Sequence, residues 1–287
     1  MTDRGPLAEA LQLRLRLAKH LAQGAGELLR RHAGQLTDYD EKSPIDLVTA
    51  ADRASEAWIL EELRAADLGD TVLAEERDGP EGAAALRDRV RELPWTWAID
   101  PLDGTTNFAH GYPAWCASVG LLYYGRPVIG VVANPPRGEM FVGGAGIPAT
   151  CNDRPIAVSP VATLSRALVV TGFPYDRRQR LPQLLGWLGA VLATAHCVRR
   201  SGSAATDLCD LAMGRSDGFY EIGLKPWDLT AGHAIVQAAG GQLSNFAGKD
   251  HDVFAASTVA SNGRVHAELV DLLGAAGQKV PPRAVDQ

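Results

Sequence analysis

Two acidic residues three positions apart, Asp100 and Asp103, directly follow an apolar segment with the character of a buried β-strand (residues 95–99). Carboxylates at the end of a strand lie at the edge of a sheet, where binding sites are commonly built. Pro101 lacks an N–H group, so we expect it to turn the chain out of the sheet directly after Asp100. The segment therefore predicts a sheet that carries a polar site at its edge.

The residues that follow, Gly104, Thr105 and Thr106, have the properties of an anion site. Gly104 lets the backbone approach a ligand closely, and either threonine can cap a following helix whose first N–H groups point at an anion. Two acids for a metal beside amides for a phosphate indicate metal-assisted phosphoryl chemistry. An Asp-rich turn with a capping Thr is a common alternative, and this segment alone leaves both interpretations open.

The net charge of −6 lacks the basic, clustered pattern expected of a nucleic-acid-binding surface. No apolar segment reaches the length of a membrane span, and the polar first residues lack the apolar core of a signal peptide. Four cysteines lie far apart without a C-x-x-C pair, which favours reduced thiols. We therefore expect a cytoplasmic protein that contacts neither nucleic acid nor membrane.

The predicted elements divide the 287 residues into two halves. Residues 1–157 begin with a helix over 7–33, continue through an extended segment at 42–49 and a charged surface excursion at 77–94, and end in an antiparallel meander over 118–142. The second half alternates strands (167–172, 197–200, 218–221, 258–261) with helices (181–195, 203–213, 228–239, 266–273). We expect an α+β first half joined to an α/β second half over 158–287.

Five acidic residues follow predicted strands or begin predicted helices: Glu75, Asp100, Asp103, Glu221 and Asp228. Asp228 alone fits a helix cap as well as a ligand, and Glu221 alone fits a solvated strand end. If the five side chains converge, the site contains only oxygen ligands, which selects hard cations such as Mg²⁺ over zinc. Asp52 follows Thr49 in a capping-box pattern, and its own segment favours a role in stabilising the helix dipole.

Other reaction classes lack their motifs. The glycines at 143–146 do not have dinucleotide spacing, which counts against a nucleotide-binding redox protein, and Lys249 is followed by Asp250 rather than by the Ser or Thr of a P-loop. Ser203 lies outside a G-x-S-x-G frame. The leading acids are three residues apart, whereas a phosphatase with an aspartyl nucleophile needs them two apart.

Three blocks of sequence together resemble the inositol monophosphatase family: Glu75-Glu76, the segment D-P-L-D-G-T-T-N-F at 100–108, and Trp227-Asp228 followed by A-A-G-G at 238–241. Residues 42–49, 200–205 and 218–228 match further blocks of the family. The blocks follow the family's order from about residue 42 to residue 262. The combination of D-P-x-D-G-T-T-N-F with a distant W-D is highly specific.

The resemblance implies a layered α-β-α-β-α sandwich of the sugar-phosphatase type, usually a homodimer, that hydrolyses a phosphate monoester with Mg²⁺. The metal ligands are implied to be four carboxylates and one carbonyl: Glu75, Asp100, Asp103, Asp228 and the Leu102 carbonyl. Most of them lie in residues 1–157, and residues 158–287 complete the site and the substrate pocket. Ala74 stands where the family commonly has Gly, so we expect a slight displacement of the Glu75 backbone.

The resemblance also implies how phosphate and water are held. The amides of Gly104 and Thr105 are implied to bind the phosphate. Thr105, together with Asp52 or Glu75, is implied to orient the attacking water. A nearby flexible loop in relatives is implied to contain two further residues: Lys42 and Asp46.

Three residues are implied to face the hydroxyls of the substrate: Asp103, Ala204 and Glu221. Glu221 accepts hydrogen bonds, which favours a small phosphorylated polyol, myo-inositol 1-phosphate, over fructose 1,6-bisphosphate. Relatives with this fold also hydrolyse histidinol phosphate and 3′-phosphoadenosine nucleotides. A non-catalytic binding protein is the alternative from another class, and the presence of Thr105 and of every metal acid counts against it.

Overall fold

Two long helices cover one face of this computed structural model, which describes residues 5–34, 40–43, 46–48, 50–78 and 83–278. Helix α1 (Gly5–His32) confirms the helix predicted over 7–33, and it buries Leu21, Ala25 and Leu29 along one face because they recur every four residues. Helix α2 (Ala50–Ala66) packs beside α1. Thr49, the predicted cap of α2, lies outside the described residues.

The larger sheet has seven strands. A separate antiparallel pair of β1 (Asp40–Ser43) and β2 (Asp46–Val48) precedes it and overlaps the segment predicted as extended over 42–49. In spatial order the sheet contains β3 (Thr71–Ala74), β4 (Trp95–Asp103), β5 (Cys116–Tyr123), β6 (Arg126–Asn134), β7 (Glu139–Gly144), β8 (Ile147–Cys151) and β9 (Arg154–Pro155). Strands β3 and β4 are parallel and all other neighbours are antiparallel, so the predicted meander is confirmed and is longer than expected.

Two sequence predictions about this sheet are wrong. Strand β4 does not end at Asp100 but continues to Asp103 through a bulge, and Pro101 lies inside the bulge, where a missing N–H costs no ladder bond. The region 77–94 is more than a surface excursion. It begins within the single turn α3 (Glu75–Asp78) and includes helix α4 (Ala83–Arg91), which buries Leu86 and Val90 completely.

The smaller sheet has five strands in the spatial order β11 (Cys197–Arg199), β10 (Leu168–Thr171), β12 (Gly218–Ile222), β14 (Ser257–Ser261) and β13 (Gln242–Ser244). Strands β11, β10 and β12 are parallel, and β14 and β13 are antiparallel additions. All four predicted strands of the second half are present. The three-residue strand β13 was not predicted, because its segment is too short to show an alternating pattern.

The helices complete five layers. Helices α7 (Ala204–Ala212) and α8 (Pro226–Ala238) lie between the two sheets, and α6 (Leu181–Thr194) and α9 (His266–Gln278) pack on the outer side of the smaller sheet. Separate buried apolar clusters fill the spaces between the layers. The predicted α-β-α-β-α sandwich is therefore confirmed. The division into halves at residue 157 stays a prediction. Among the described residues, no helix is long and apolar enough to cross a bilayer.

A row of glycines lets α8 lie unusually close to the larger sheet. Gly120, Gly130 and Gly143 are neighbours across β5, β6 and β7. A Cβ atom at Gly120 would lie 2.5 Å from Thr230 Cγ2, and one at Gly130 would overlap the carbonyl oxygen of Ala231. The row therefore forms a groove for α8, and its depth sets how closely the N-terminus of α8 approaches the end of β4.

Candidate active site

The bulge in β4 brings Asp100 and Asp103 to the same face of the sheet. In a regular strand, residues three positions apart point to opposite faces. Asp100 and Asp103 pair with Ser118 and Cys116, which are two residues apart on β5 and therefore share a face. The extra residue of the bulge reverses the alternation, so the D-x-x-D spacing places two buried carboxylates side by side.

The N-terminus of α7 holds the Asp103 carboxylate. Asp103 Oδ2 accepts hydrogen bonds from Ser203 Oγ and from the N–H of Ala205, both at 2.7 Å. Ser203 is also the N-cap of α7, where its hydroxyl accepts from the Thr206 N–H. Burial raises the pKa of Asp103, and these donors together with the Ala204 backbone oppose the rise. Sequence reasoning considered Ser203 only as a nucleophile, although its position before a helix predicts a cap.

Thr105 does not cap helix α5 (Thr105–Ala109), so the prediction that Thr105 or Thr106 would do so is wrong. The N-cap is Gly104, whose φ of 95° is left-handed and whose added Cβ would lie 2.7 Å from the Ala114 carbonyl oxygen. The Thr105 hydroxyl instead lies 2.9 Å from Asp52 Oδ1 and 3.0 Å from the Leu102 carbonyl oxygen. It therefore links α2 to the bulge.

Asp52 lies in the first turn of α2 and is 1% exposed. Its own segment favoured a role at the helix dipole, whereas the structure places it against Thr105. Only the family resemblance indicated that contact, because nothing local to Asp52 in the sequence shows which residue 53 positions away it will meet. The side chains of Lys42 and Asp46 lie outside the described part of the structure.

Glu75, Asp103 and Asp228 all lie close enough to Asp100 to act on its carboxylate electrostatically. Burial raises the pKa of Asp100 well above its ordinary value, and the charges of Glu75, Asp103 and Asp228 raise it further. Glu75 follows β3, whose last residue pairs with Ile99, so it is adjacent to Asp100. The acids thus come from the ends of two neighbouring strands and from one helix.

Asp228 has two roles at the start of α8. It is the third residue of the helix, and its Oδ2 accepts a hydrogen bond from the Lys225 N–H at 2.7 Å, as a capping acid does. Burial and then the charge of Asp103 raise its pKa to about 7. The cap and the acidic cluster are therefore compatible, although the sequence presented them as alternatives.

The donor set fits a hard cation chemically. Its members are carboxylates and the Leu102 carbonyl, and the Leu102 N–H donates to Asp100 Oδ1 at 3.0 Å, which fixes the bulge. Buried carboxylates that repel one another are relieved by a divalent cation bound between them. Within the described ranges, no group of three or more His, Cys, Asp and Glu side chains is arranged to hold an ion as it stands.

The metal-free protein should lose stability as the pH rises from about 4 to 7. A carboxyl whose pKa is raised in the folded state binds its proton more tightly there, so its contribution is present at low pH and is lost as the pH rises through the folded pKa. For Asp228 that window ends near 7. Thermal unfolding of wild type and of Asp228→Asn, both without metal, measures the effect. The melting temperature of the wild type should fall relative to that of the variant across this pH range. Parallel pH dependences of the two melting temperatures would contradict the raised pKa of Asp228.

Glu221 lies near the end of β12, outside the set of expected metal ligands, and is 9% exposed. Burial raises its pKa well above the ordinary value, the charges of Asp207 and Asp228 raise it further, and Arg200 opposes the rise. Ala204 is 7% exposed at the start of α7. Sequence reasoning did not single out Arg200 or Asp207 individually, although both lie in or next to the R-S-G-S-A-A block.

The five-layer sandwich and its buried acidic cluster are those of a phosphatase. The chain belongs to the inositol monophosphatase family, which it matches over residues 11–278. An inositol-1-monophosphatase of Synechocystis is 43% identical over 269 residues, or 93% of this chain and 91% of that protein. A Neisseria meningitidis protein named putative Nus factor SuhB is 38% identical over 263 residues, or 91% of this chain and 98% of that protein. The solved inositol monophosphatase of Anabaena has a TM-score of 0.80 at 38% identity and covers 96% of this chain and 100% of its own.

Proposed function

We propose that this phosphatase hydrolyses a small phosphorylated polyol, myo-inositol 1-phosphate, with Mg²⁺ as its cofactor. The observation that carries the proposal is the convergence of four carboxylates from three elements of the fold, in which Glu75, Asp103 and Asp228 all act on the buried Asp100. Such a cluster is costly without a cation and favourable with one. The proposal assigns the metal to these four side chains and to the Leu102 carbonyl.

Mg²⁺ held there would lower the pKa of a bound water and offset the negative charge that develops on the leaving oxygen. The Thr105 hydroxyl donates a hydrogen bond to Asp52, and the Thr105 oxygen can in turn accept a hydrogen bond from the attacking water. Glu75, which follows β3, would also help to orient the attacking water. The N–H groups of Gly104 and Thr105, at the start of α5, would bind the phosphate oxygens.

Direct attack by water is favoured over a covalent intermediate. The Ser203 hydroxyl donates to Asp103 and is 1% exposed. Burial and the charge of Asp103 raise the pKa of the Cys116 thiol well above its ordinary value, so it is a poor nucleophile. In the part of the chain that the structure describes, these are the nucleophilic side chains that contact the Asp103 carboxylate.

The substrate preference depends on Asp103, Ala204 and Glu221. The side chain of Ala204 is a methyl group, and the Glu221 carboxylate can accept a hydrogen bond from a polyol hydroxyl but repels a second phosphate. We expect the highest kcat/KM for myo-inositol 1-phosphate when it is compared with histidinol phosphate, fructose 1,6-bisphosphate and 3′-phosphoadenosine 5′-phosphate. A higher kcat/KM for any of the other three would keep the chemistry and overturn the assigned substrate.

We also propose a homodimer, in which the outer face of α6 contributes to the contact. Helix α6 contains no charged residue. Leu181, Leu185 and Leu192 are 50%, 54% and 58% exposed and recur at helical spacing on one face. Such an exposed apolar stripe is typical of a surface that packs against a partner protein.

Sedimentation of the wild type should give the mass of two chains, and Leu185→Glu should shift the protein toward one chain by burying a charge in the contact. The matched control is Leu13→Glu on α1, where the replaced leucine is 42% exposed. We expect this control to leave the mass unchanged. A wild-type monomer at micromolar concentration, or an equal effect of both variants, would contradict the assigned face.

A cytoplasmic location remains part of the proposal. It is supported by the cysteines, which are all free thiols. Cys116, Cys151 and Cys209 are buried, and burial raises the pKa of each thiol. Buried thiols of raised pKa are structural rather than reactive, as expected of a chain kept reduced.

A further inference from the structure

The Glu221 carboxylate lies directly over Gly172, the residue that follows β10. Strands β10 and β12 are parallel, and Thr171 pairs with Tyr220, so Gly172 and Glu221 are the next neighbours at the carboxyl edge of the sheet. Neighbouring residues of a parallel pair project to the same face. A Cβ atom at position 172 would overlap both carboxylate oxygens of Glu221.

The requirement for glycine at 172 is one of space and not of backbone conformation. Gly172 does not have a positive φ, whereas Gly223, two residues after Glu221, has a φ of 81°. An alanine could therefore adopt the backbone at 172 without strain, and the three atoms nearest its methyl group would all belong to the Glu221 side chain. The main effect of such a methyl group is thus on the position of that carboxylate.

The backbone around the carboxylate is held firmly. Thr171 Oγ1 donates to the Tyr220 carbonyl oxygen at 2.8 Å and ties β10 to β12. A Cβ atom at Gly223 would lie 3.1 Å from Pro174 Cβ, so the two segments after the strands also touch. A displaced Glu221 carboxylate would have to rotate about its own side-chain bonds, because the backbone beneath it is fixed.

We propose that Gly172 is a specificity-determining residue, which leaves the space that the Glu221 carboxylate occupies when it accepts a hydrogen bond from a leaving-group hydroxyl. The inference rests on the proposed function, because Glu221 serves the substrate there. Gly172 acts through Glu221 and touches neither the phosphate nor the metal ligands. It is therefore a positioning residue whose effect appears only with leaving groups that carry hydroxyls.

The test compares two substrates whose leaving groups differ in hydroxyls, myo-inositol 1-phosphate and phenyl phosphate. In Gly172→Ala, the ratio of kcat/KM for the inositol ester to that for the phenyl ester should fall about tenfold, the worth of one hydrogen bond to a charged group. The matched control is Gly274→Ala in α9, where an added Cβ has no neighbour within 4 Å. The ratio should not change in this control.

A double variant separates positioning from general damage. Glu221→Ala alone should lower the same ratio, and adding Gly172→Ala to it should lower the ratio no further, because the two residues act through one carboxylate. An equal loss on both esters in Gly172→Ala, a further loss in the double variant, or an unchanged ratio would overturn the inference. A wild-type protein with no preference for the inositol ester would instead overturn the proposed function, and the inference with it.

Discussion

Replacing Asp103 with Asn should lower kcat by about 10³-fold, the upper range for removing one electrostatic group from an active site, while the protein stays folded. The Asn oxygen can still accept from Ser203 Oγ and from the Ala205 N–H, so the link to α7 is retained. What is lost is the negative charge that the proposal gives to the metal. Phosphate release by the purified variant at saturating Mg²⁺ measures the effect.

The same substitution should not destabilise the metal-free protein. Burial raises the pKa of Asp103, so its ionised form is disfavoured in the folded state and a neutral side chain removes that cost. The matched control is Asp88→Asn, whose carboxylate is exposed and pairs only with the adjacent Arg87 among the described residues. We expect wild-type activity from the control. Full activity in Asp103→Asn would refute the assigned role of Asp103.

Replacing Gly130 with Ala should lower the free energy of unfolding by about 3 kcal/mol, as overpacking against rigid atoms does. The added methyl group would overlap the Ala231 carbonyl oxygen, which belongs to the backbone of α8 and cannot rotate away. Helix α8 would have to lift from the sheet and would carry Asp228 away from Asp100. We therefore expect kcat to fall as well.

Urea unfolding provides the measurement for Gly130→Ala. The matched control is Gly274→Ala in α9, where an added Cβ has no neighbour within 4 Å. Because alanine favours a helix over glycine by about 1 kcal/mol, this control should be slightly more stable than wild type. Equal stability of Gly130→Ala and wild type would show that α8 is not seated by the glycine row.

The sequence predicted most strands and helices because each carries its own periodicity. The sequence-based prediction failed where the usual preference of a residue was overridden by its structural surroundings. Pro101 predicted the end of β4, since a proline cannot join a ladder, but the bulge removes the need for its N–H. Thr105 predicted a cap because threonine is a common one, but Gly104 takes that position with a left-handed φ.

The candidate site was predicted in its chemistry but not in its geometry. The acids after strands indicated an oxygen-rich site. The bulge that brings Asp103 to the same face of the sheet as Asp100, however, depends on the pairing of β4 with β5. The contact between Thr105 and Asp52 likewise depends on how α2 packs against the sheet. No local pattern reports on contacts between such distant segments. The resemblance to the inositol monophosphatase family indicated these residues, and the fold explains why they lie together.

The central claim is that the acidic cluster binds Mg²⁺ to hydrolyse a phosphate monoester. Phosphate release from myo-inositol 1-phosphate, by purified protein with Mg²⁺ and again after removal of divalent cations with EDTA, tests it most directly. We predict strong release with Mg²⁺, loss of release with EDTA and recovery when Mg²⁺ is restored. Release that is equally strong in EDTA, or folded protein that releases no phosphate from any ester in the panel with Mg²⁺ present, would contradict the account.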